Sequence, residues 1–365
     1  MRPRVLFLSR TRYRLPPDSR VTEKFDALRR ELDVRVLASA APGSLTNDET
    51  FALVAPLRPR RLDGIAFWLG LPWRAAAMLR DFRPQAVVCQ TPFEGAAALL
   101  GRRVARVPAR VIVEVHGDWR TSTRLYGSSA RRVLGRFGDA VAAAALRRAD
   151  AVRTVSPFTA GLVRELGVEP AADFPAYMDI KPFVVPPQPL PDRPVALFVG
   201  VLEAYKNVDG LAAAWRLAEP RVAGASLHIV GKGTRADIPG ALVRDGAARW
   251  DPELSSEEVA AAMDAAWVLV LPSRSEGMGR VLVEAFCRGR GVVGTRAGSI
   301  PDLVTDGETG LLVPPDDPAA LADALVRVLS DRALAERLGE RARAAAGPWL
   351  QTADEYARRV RELVT

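Results

Sequence analysis

Between Leu269 and Pro315 a short apolar run, a glycine-bearing turn and an amphipathic run follow one another repeatedly, and few folds accept that order. The first copy is the strand-like run Trp267 to Leu271, a break at Pro272, the turn Ser273 to Gly279 and the amphipathic run Val281 to Cys287. GVVGTRAGSIPDLV repeats the order with a Pro-initiated helix. DGETGLLVPPDDPAALADAL then supplies a turn, a short strand and a helix capped by Asp316 or Asp317. Alternation of this kind predicts strand–helix–strand units on parallel sheets.

The first of these turns carries chemistry. A helix N-terminus presents unpaired backbone N–H groups and partial positive charge, which favour an anion such as phosphate. Gly277 and Gly279 remove the side chains that would hold a ligand off the backbone. Glu276 precedes the helix and Glu284 lies within it, with seven residues between them. Carboxylates repel phosphate, so they are expected to face hydroxyl groups of a ribose or sugar, and the turn reads as a sugar-nucleotide site. An ordinary helix cap beside a solvated glutamate is the plainer alternative.

The chain of 365 residues suits two α/β domains, and its 48% hydrophobic content suits well-buried cores. RVLFL, a loop SRTRYRLPPDSR, the helix VTEKFDALRREL and the strand VRVLA open a doubly wound pattern. Residues 64–82, GIAFWLGLPWRAAAMLRDF, form a helix that faces either the core or a membrane surface, the core being favoured. QAVVCQ and VIVEVHG are buried-type strands, followed by an arginine-dense helix from Ser129 to Ala149 and the strand AVRTV. Ser156 and Pro157 have the pattern of an N-cap and first helical position. PFVVPPQPLPDRP holds six prolines and reads as a stiff linker. The expected domains are 1–185, the linker 186–194, 195–347, and a final helix over 348–365.

His116 ends the strand VIVEVH beside a glycine, where open α/β sheets bind ligands, whereas His228 inside SLHIV is expected to be structural. Gly231 and Gly233 follow that strand and are expected to let a nucleobase approach the backbone. Cys89 and Cys287 sit apart in apolar runs and are expected to be buried free thiols in a reducing compartment. No apolar run reaches the roughly 18 residues of a membrane span, and Val5 to Leu8 is too short for a signal peptide; a cytoplasmic location is expected.

The formal charge of +8 is uneven. Residues 1–190 hold 30 Lys and Arg against 18 Asp and Glu, which leaves 21 against 25 for the remainder. The basic half is expected to meet an anionic partner or surface. Its arginines are scattered among alanines without aromatic basic motifs, which argues against nucleic acid.

In order and spacing the C-terminal half closely resembles the family 4 retaining glycosyltransferases of the GT-B fold, whose pattern PS-x-x-EG-F-G…EA…G-x-P-V…GG-x-PE…G-x-L-V aligns with PSRSEGMG, EAF, GVVG, GSIPD and GLLV. The resemblance implies two Rossmann-like doubly wound parallel-sheet domains facing a central cleft, with the last helix crossing back to the first domain. It implies a metal-independent transfer of sugar from a nucleotide diphosphate sugar to a hydroxyl acceptor with retention, giving an α-linkage, in glycan, glycolipid or glycoside biosynthesis. No cofactor or metal is expected.

GVLEAYKN resembles the family's G-R-L-x-x-x-K-G motif, with Gly200 at its head and Lys206 at the phosphate-neutralising lysine. Val201 replaces the arginine and Asn207 the second glycine, so Arg280 is the candidate for the missing charge. The donor would also meet the amides of Gly277, Met278, Gly279, Arg280 and Val281, the ribose Glu284, and the sugar Glu276 and His116. The family's glycine pair after the first strand is absent. Arg10, Arg12 and Arg14 stand there and, with Asp118, are acceptor-side candidates. A lipid-diphosphate or other anionic acceptor at the inner membrane surface fits them. A non-catalytic sugar-nucleotide sensor and a sugar-nucleotide epimerase remain alternatives.

Overall fold

The computed structural model describes residues 2–57, 60–121 and 129–365, and the side chains of 60–62 and 129–134 lie outside that description. Arg131 and Arg132 of the arginine-dense helix are among the latter. The chain divides into two compact units, Met1–Tyr177 with Gln351–Thr365, and Met178–Leu350.

The first unit runs β1 (Arg4–Tyr13), α1 (Ser19–Glu31), β2 (Asp33–Ala40), β3 (Phe51–Val54), α2 (Arg60–Phe82), β4 (Ala86–Cys89), α3 (Pro92–Ala105), β5 (Arg110–Val115), α4 (Ser129–Arg148), β6 (Ala151–Thr154), α5 (Pro157–Arg164) and β7 (Ala172–Asp173). Its sheet has the order β3-β2-β1-β4-β5-β6-β7, parallel at every pairing. The central strands β4 and β5 are buried on both faces, which explains their near-continuous apolar runs. The order reverses between β1 and β4, and a crevice at the carboxyl ends of such strands is where ligands bind.

β1 continues well past its apolar run. Arg10 and Arg12 lie within the strand rather than in a loop, beyond an irregular register with β2 between Leu8 and Arg12. α2 buries Phe67, Leu71, Ala75 and Leu79, four residues apart along one face, as the core-facing reading expects. Ser156 caps α5 in a reciprocal capping box with Thr159.

The second unit runs β8 (Val195–Val199), α6 (Val208–Ala218), β9 (Ser226–Val230), α7 (Asp237–Arg244), β10 (Ala248–Asp251), α8 (Ser256–Asp264), β11 (Val268–Leu271), α9 (Arg280–Cys287), β12 (Gly291–Thr295), α10 (Ile300–Leu303), β13 (Gly310–Val313), α11 (Pro318–Leu329) and α12 (Arg332–Ala344). Its parallel sheet is ordered β10-β9-β8-β11-β12-β13, reversing between β8 and β11. Trp215 is fully buried in its core and donates Nε1–H to the Ala247 carbonyl at 2.7 Å. Ser255 and Asp317 cap α8 and α11.

The proline-rich stretch is held against this unit. Proline has no N–H for a sheet ladder, and the stretch's carbonyls are met by side chains instead. Arg288 donates to Val185 O at 2.7 Å, Arg290 to Gln188 O at 2.9 Å, Trp267 to Pro191 O at 2.8 Å and Arg332 to Leu190 O at 2.6 Å. Both thiols are free and buried.

After a 3-10 turn at Gly347–Trp349, α13 (Ala353–Val364) starts at a Thr352 capping box and joins the first unit. Tyr356, Val360 and Leu363 enter the core formed by Val5, Phe25 and Val36, and Arg30 and Arg361 form ion pairs with Asp354 and Glu31 at 2.5 and 2.8 Å. Burial pushes the Tyr356 hydroxyl well above its ordinary range, in line with a residue that is 2% exposed. Tyr356→Ala is therefore expected to cost roughly 3 kcal/mol of stability, measured by urea unfolding; a cost below about 1 kcal/mol would mean that α13 is peripheral to this core.

Candidate functional site

In the second unit the loops after β8 and β11 emerge side by side where the strand order reverses. The loop after β8 turns through a single 3-10 turn, Ala204–Lys206, and ends on Asn207 in a left-handed conformation, φ 54°. Asn also tolerates that conformation, which the family pattern assigns to glycine here. Its side chain accepts from Gly210 N–H and so caps α6.

Lys206 is buried, and its Nζ donates to Glu276 Oε1 at 2.5 Å. The same oxygen accepts from Ser273 Oγ at 2.6 Å. Lys206 and Glu276 are thus one buried pair joining the two loops, and not two independent ligand contacts. Arg274 holds the same loops together: its Nη1 donates to Ala204 O at 2.6 Å and its Nε to Asp316 at 2.6 Å. Glu276 is also seated from behind, because Ser299 N–H donates to its carbonyl at 3.0 Å and Gly298, φ +57°, lies against its backbone. A Cβ on Gly298 would come within 2.3 Å of that carbonyl. The Ser299 hydroxyl is buried beside this loop without a hydrogen-bond partner among the described residues.

α9 begins at Arg280, preceded by Gly279 at φ 59°, and no side chain caps its first turn among the described residues. Met278 and Val281 bury their side chains, so only their backbone can face a ligand. Arg280 is exposed and carries no ion pair among the described residues. Glu284 is half-buried one turn further on; burial first, and then the Glu284 charge, push the Cys287 thiol up to about 11. Val201 is 46% exposed.

Gly231 and Gly233 also have a reason within the fold. At φ +140° the Cβ position of Gly231 lies 1.9 Å from Gly200 O, and that of Gly233 lies 2.4 Å from Leu202 O. The loops after β9 and β8 therefore touch through their own backbones, which by itself requires glycine at both positions. A Cβ on Gly200 itself would make only ordinary contacts, with Phe198 and Lys206. His228 bonds Asp251 at 2.8 Å across β9 and β10, and burial lowers its pKa, as befits a structural histidine.

In the first unit His116 stands at the end of β5, with Nε2 2.9 Å from Glu114 Oε2. Glu114 and Arg153 are register partners on β5 and β6 and form a buried ion pair. Burial alone would raise the Glu114 carboxyl, but the Arg153 guanidinium and the His116 hydrogen bond together outweigh it and hold the pKa well below the usual carboxylate range. An ionised carboxylate only accepts, so His116 donates from Nε2, and in the neutral ring Nδ1 is left as an acceptor. Arg153 is anchored by the carbonyls of Phe174 and Pro175 at 2.9 and 2.8 Å and stacks on the Phe174 ring at 3.9 Å. Neither Glu114 nor Arg153 was expected from its own position, although a charge inside an otherwise apolar strand was the available signal.

The acceptor-side candidates are dispersed. The Arg10 guanidinium lies 5.9 Å from the Trp68 ring, and the Arg10 backbone N–H donates to the buried Glu94 carboxylate at 3.0 Å. Arg12 pairs with Asp63 at 3.3 Å, Arg14 is exposed, and Asp118 is engaged by Arg120 at 2.9 Å. Among the described residues no group of His, Cys, Asp and Glu is arranged to hold a metal ion, and no helix is long and apolar enough to cross a membrane.

Residues 18–172 match the family model described as Glycosyl transferase 4-like domain, and residues 193–331 that described as Glycosyl transferases group 1. The chain is similar to the D-inositol 3-phosphate glycosyltransferase of Streptomyces bingchenggensis (strain BCW-1), 33% identical over 162 residues that cover 41% of this chain and 36% of that protein. It is also similar to the alpha-D-kanosaminyltransferase of Streptomyces kanamyceticus, 32% identical over 157 residues, 42% of this chain and 41% of that protein. The matches thus span well under two thirds of either relative. Among solved structures, sucrose-phosphate synthase from Thermosynechococcus elongatus superposes with a TM-score of 0.79 at 21% identity, covering 99% of this chain and 98% of that one. Anabaena HepE in complex with UDP superposes with a TM-score of 0.71 at 17% identity, covering 100% and 99%. The architecture is GT-B, and both halves are glycosyltransferase-like.

Lys206→Met alone leaves Glu276 buried without its cation and is expected to cost roughly 3 kcal/mol, whereas Lys206→Met/Glu276→Leu recovers much of that loss; equal costs in urea unfolding would mean no coupling. The Glu114 pKa is depressed in the folded state, so its contribution to stability is complete above the ordinary value of about 4.3 and declines as pH falls through and below it. The advantage of wild type over Glu114→Gln should hold steady near neutrality and shrink in unfolding curves taken below about pH 4; a constant difference would contradict the assignment.

Proposed function

We propose that this GT-B chain, glycosyltransferase-like in both halves, moves a sugar from a nucleotide diphosphate sugar to a hydroxyl acceptor, with retention and an α-linkage, in glycan, glycolipid or glycoside synthesis. The observation that carries the reading is the Lys206–Glu276 pair set beside the uncapped N-terminus of α9 at the reversal point of the second sheet. A departing diphosphate gathers negative charge, and Lys206, Arg280 and the first-turn amides of α9 are the groups suited to receive it. That electrostatic role is the one a metal ion fills in other transferases, and here the chain's own cations and amides supply it.

Glu276, already held by Lys206 and Ser273, orients the donor sugar, and Glu284 accepts from the ribose hydroxyls. As the phosphate arrives, the Lys206 charge is shared between it and Glu276. His116 is assigned to the transferring sugar, its ring orientation set by Glu114. The acceptor is assigned to the basic first unit, where Arg10, Arg12 and Arg14 favour an anionic or lipid-linked molecule at a cytoplasmic membrane face.

Val201, exposed where the resemblance expects arginine, keeps a non-catalytic sugar-nucleotide sensor as a competing reading, and an epimerase is a separate alternative. A thermal-shift panel of UDP-, GDP-, ADP- and TDP-sugars tests the donor. At about a hundred times its dissociation constant a donor adds roughly 2.7 kcal/mol, a shift of several degrees. One nucleotide is expected to stabilise wild type, with Glu284→Ala and Arg280→Ala each losing most of the shift. No shift with any donor would overturn the reading. Acceptor-dependent release of free nucleotide separates transfer from sensing and epimerisation.

A further inference from the structure

On the first unit, α2, α3 and α4 surround a cavity of about 540 Å³. Its walls include Trp68 and Pro72 of α2 and Phe93, Ala97 and Leu100 of α3, and Arg10 is the charged group among the described lining residues. Gly101 lets the two helices close beneath it, since a Cβ there would come within 2.9 Å of Pro72 O. Arg10 carries no ion pair among the described residues, and its guanidinium lies 5.9 Å from the Trp68 ring. An apolar cavity with a cation on its wall is complementary to a hydrocarbon chain ending in an acidic group.

The surface beside the cavity is also apolar. Ile65, Leu69 and Trp73 recur every four residues along α2 and are 59%, 72% and 63% exposed. Leu69 is the i−3 neighbour of the cavity residue Pro72, so this stripe adjoins the cavity wall. Leu100 on α3 and Phe137 on α4 are exposed as well. A water-facing row of isoleucine, leucine and tryptophan on a helix of a basic unit has the character of an interfacial helix, with the aromatic ring at headgroup depth and basic residues favouring anionic lipid.

We propose that this face rests on an anionic bilayer and takes one hydrocarbon chain of an acidic lipid into the cavity, with Arg10 against its phosphate. The binding stands without the glycosyltransferase reading; that such a lipid is the acceptor rests on it. The apolar face of α2 opposite Phe67 and Leu71 then has an occupant. An amphipathic protein segment would fit the exposed stripe but leave the cavity itself unfilled.

Flotation of the full chain with vesicles tests this without catalysis. The protein is expected to float with phosphatidylcholine containing about one third phosphatidylglycerol, and not with phosphatidylcholine alone. Leu69→Ser/Trp73→Ser and Arg10→Ser should each lower the bound fraction about tenfold. In a Trp73→Phe background, chain-brominated phosphatidylglycerol should quench tryptophan fluorescence at Trp68, and Ala96→Phe, which narrows the cavity, should remove that quenching while flotation persists. Unchanged thermal midpoints would show that the variants fold. No flotation, equal flotation with neutral vesicles, undiminished binding by the stripe variant, or quenching that survives Ala96→Phe would overturn the proposal. Donor binding in the thermal-shift panel is independent of all four results.

Discussion

The buried ion pair between Lys206 and Glu276 is the joint on which the second unit's site turns. Removing both charges from water is costly, and the pair persists because each partner is supported. Ser273 donates to the shared carboxylate oxygen, Ser299 and Gly298 hold the Glu276 backbone, and Arg274 closes the neighbouring loop onto Ala204. These contacts converge at the carboxyl ends of β8 and β11, where the reversal of strand order directs successive connections to opposite faces and leaves a crevice. The uncapped first turn of α9 opens at the same place, so cation, carboxylate and helix N-terminus form one electrostatic unit.

The first unit uses a second buried pair differently. Glu114 and Arg153 face each other across β5 and β6, and their strand register makes the pairing unavoidable. Arg153 stacks on Phe174, close to Tyr356 of the returning helix α13. Glu114 passes the arrangement to His116 by fixing which ring nitrogen carries hydrogen. A histidine at a strand end is thereby tied to the packing of the last helix in the chain.

Local signals were enough for the architecture. The apolar runs, the glycine turns and the caps at Ser156 and Asp317 marked strand ends and helix starts, because those choices are made within a few residues. The strand character of Arg10 and Arg12 was hidden, since their side chains look like those of a solvated loop and only pairing with β2 extends β1 through them. The proline-rich stretch looked like a spacer; the arginines that satisfy its carbonyls come from Arg288, Arg290 and Arg332, a hundred or more residues away. Gly231 was legible as a glycine that something must approach, but not as one approached by Gly200.

Sequence by itself determined the alternation of parallel strands and helices, the helix N-terminus at Arg280 and the chemical types available around it, because propensity, periodicity and capping are local properties. Tertiary structure decided which charges meet. Lys206 finds Glu276, Arg153 finds Glu114, Arg12 finds Asp63, and Arg10 comes to line an apolar cavity. A side chain's partner depends on strand order and register, which bring residues tens of positions apart within hydrogen-bonding distance, and a single sequence does not display those distances.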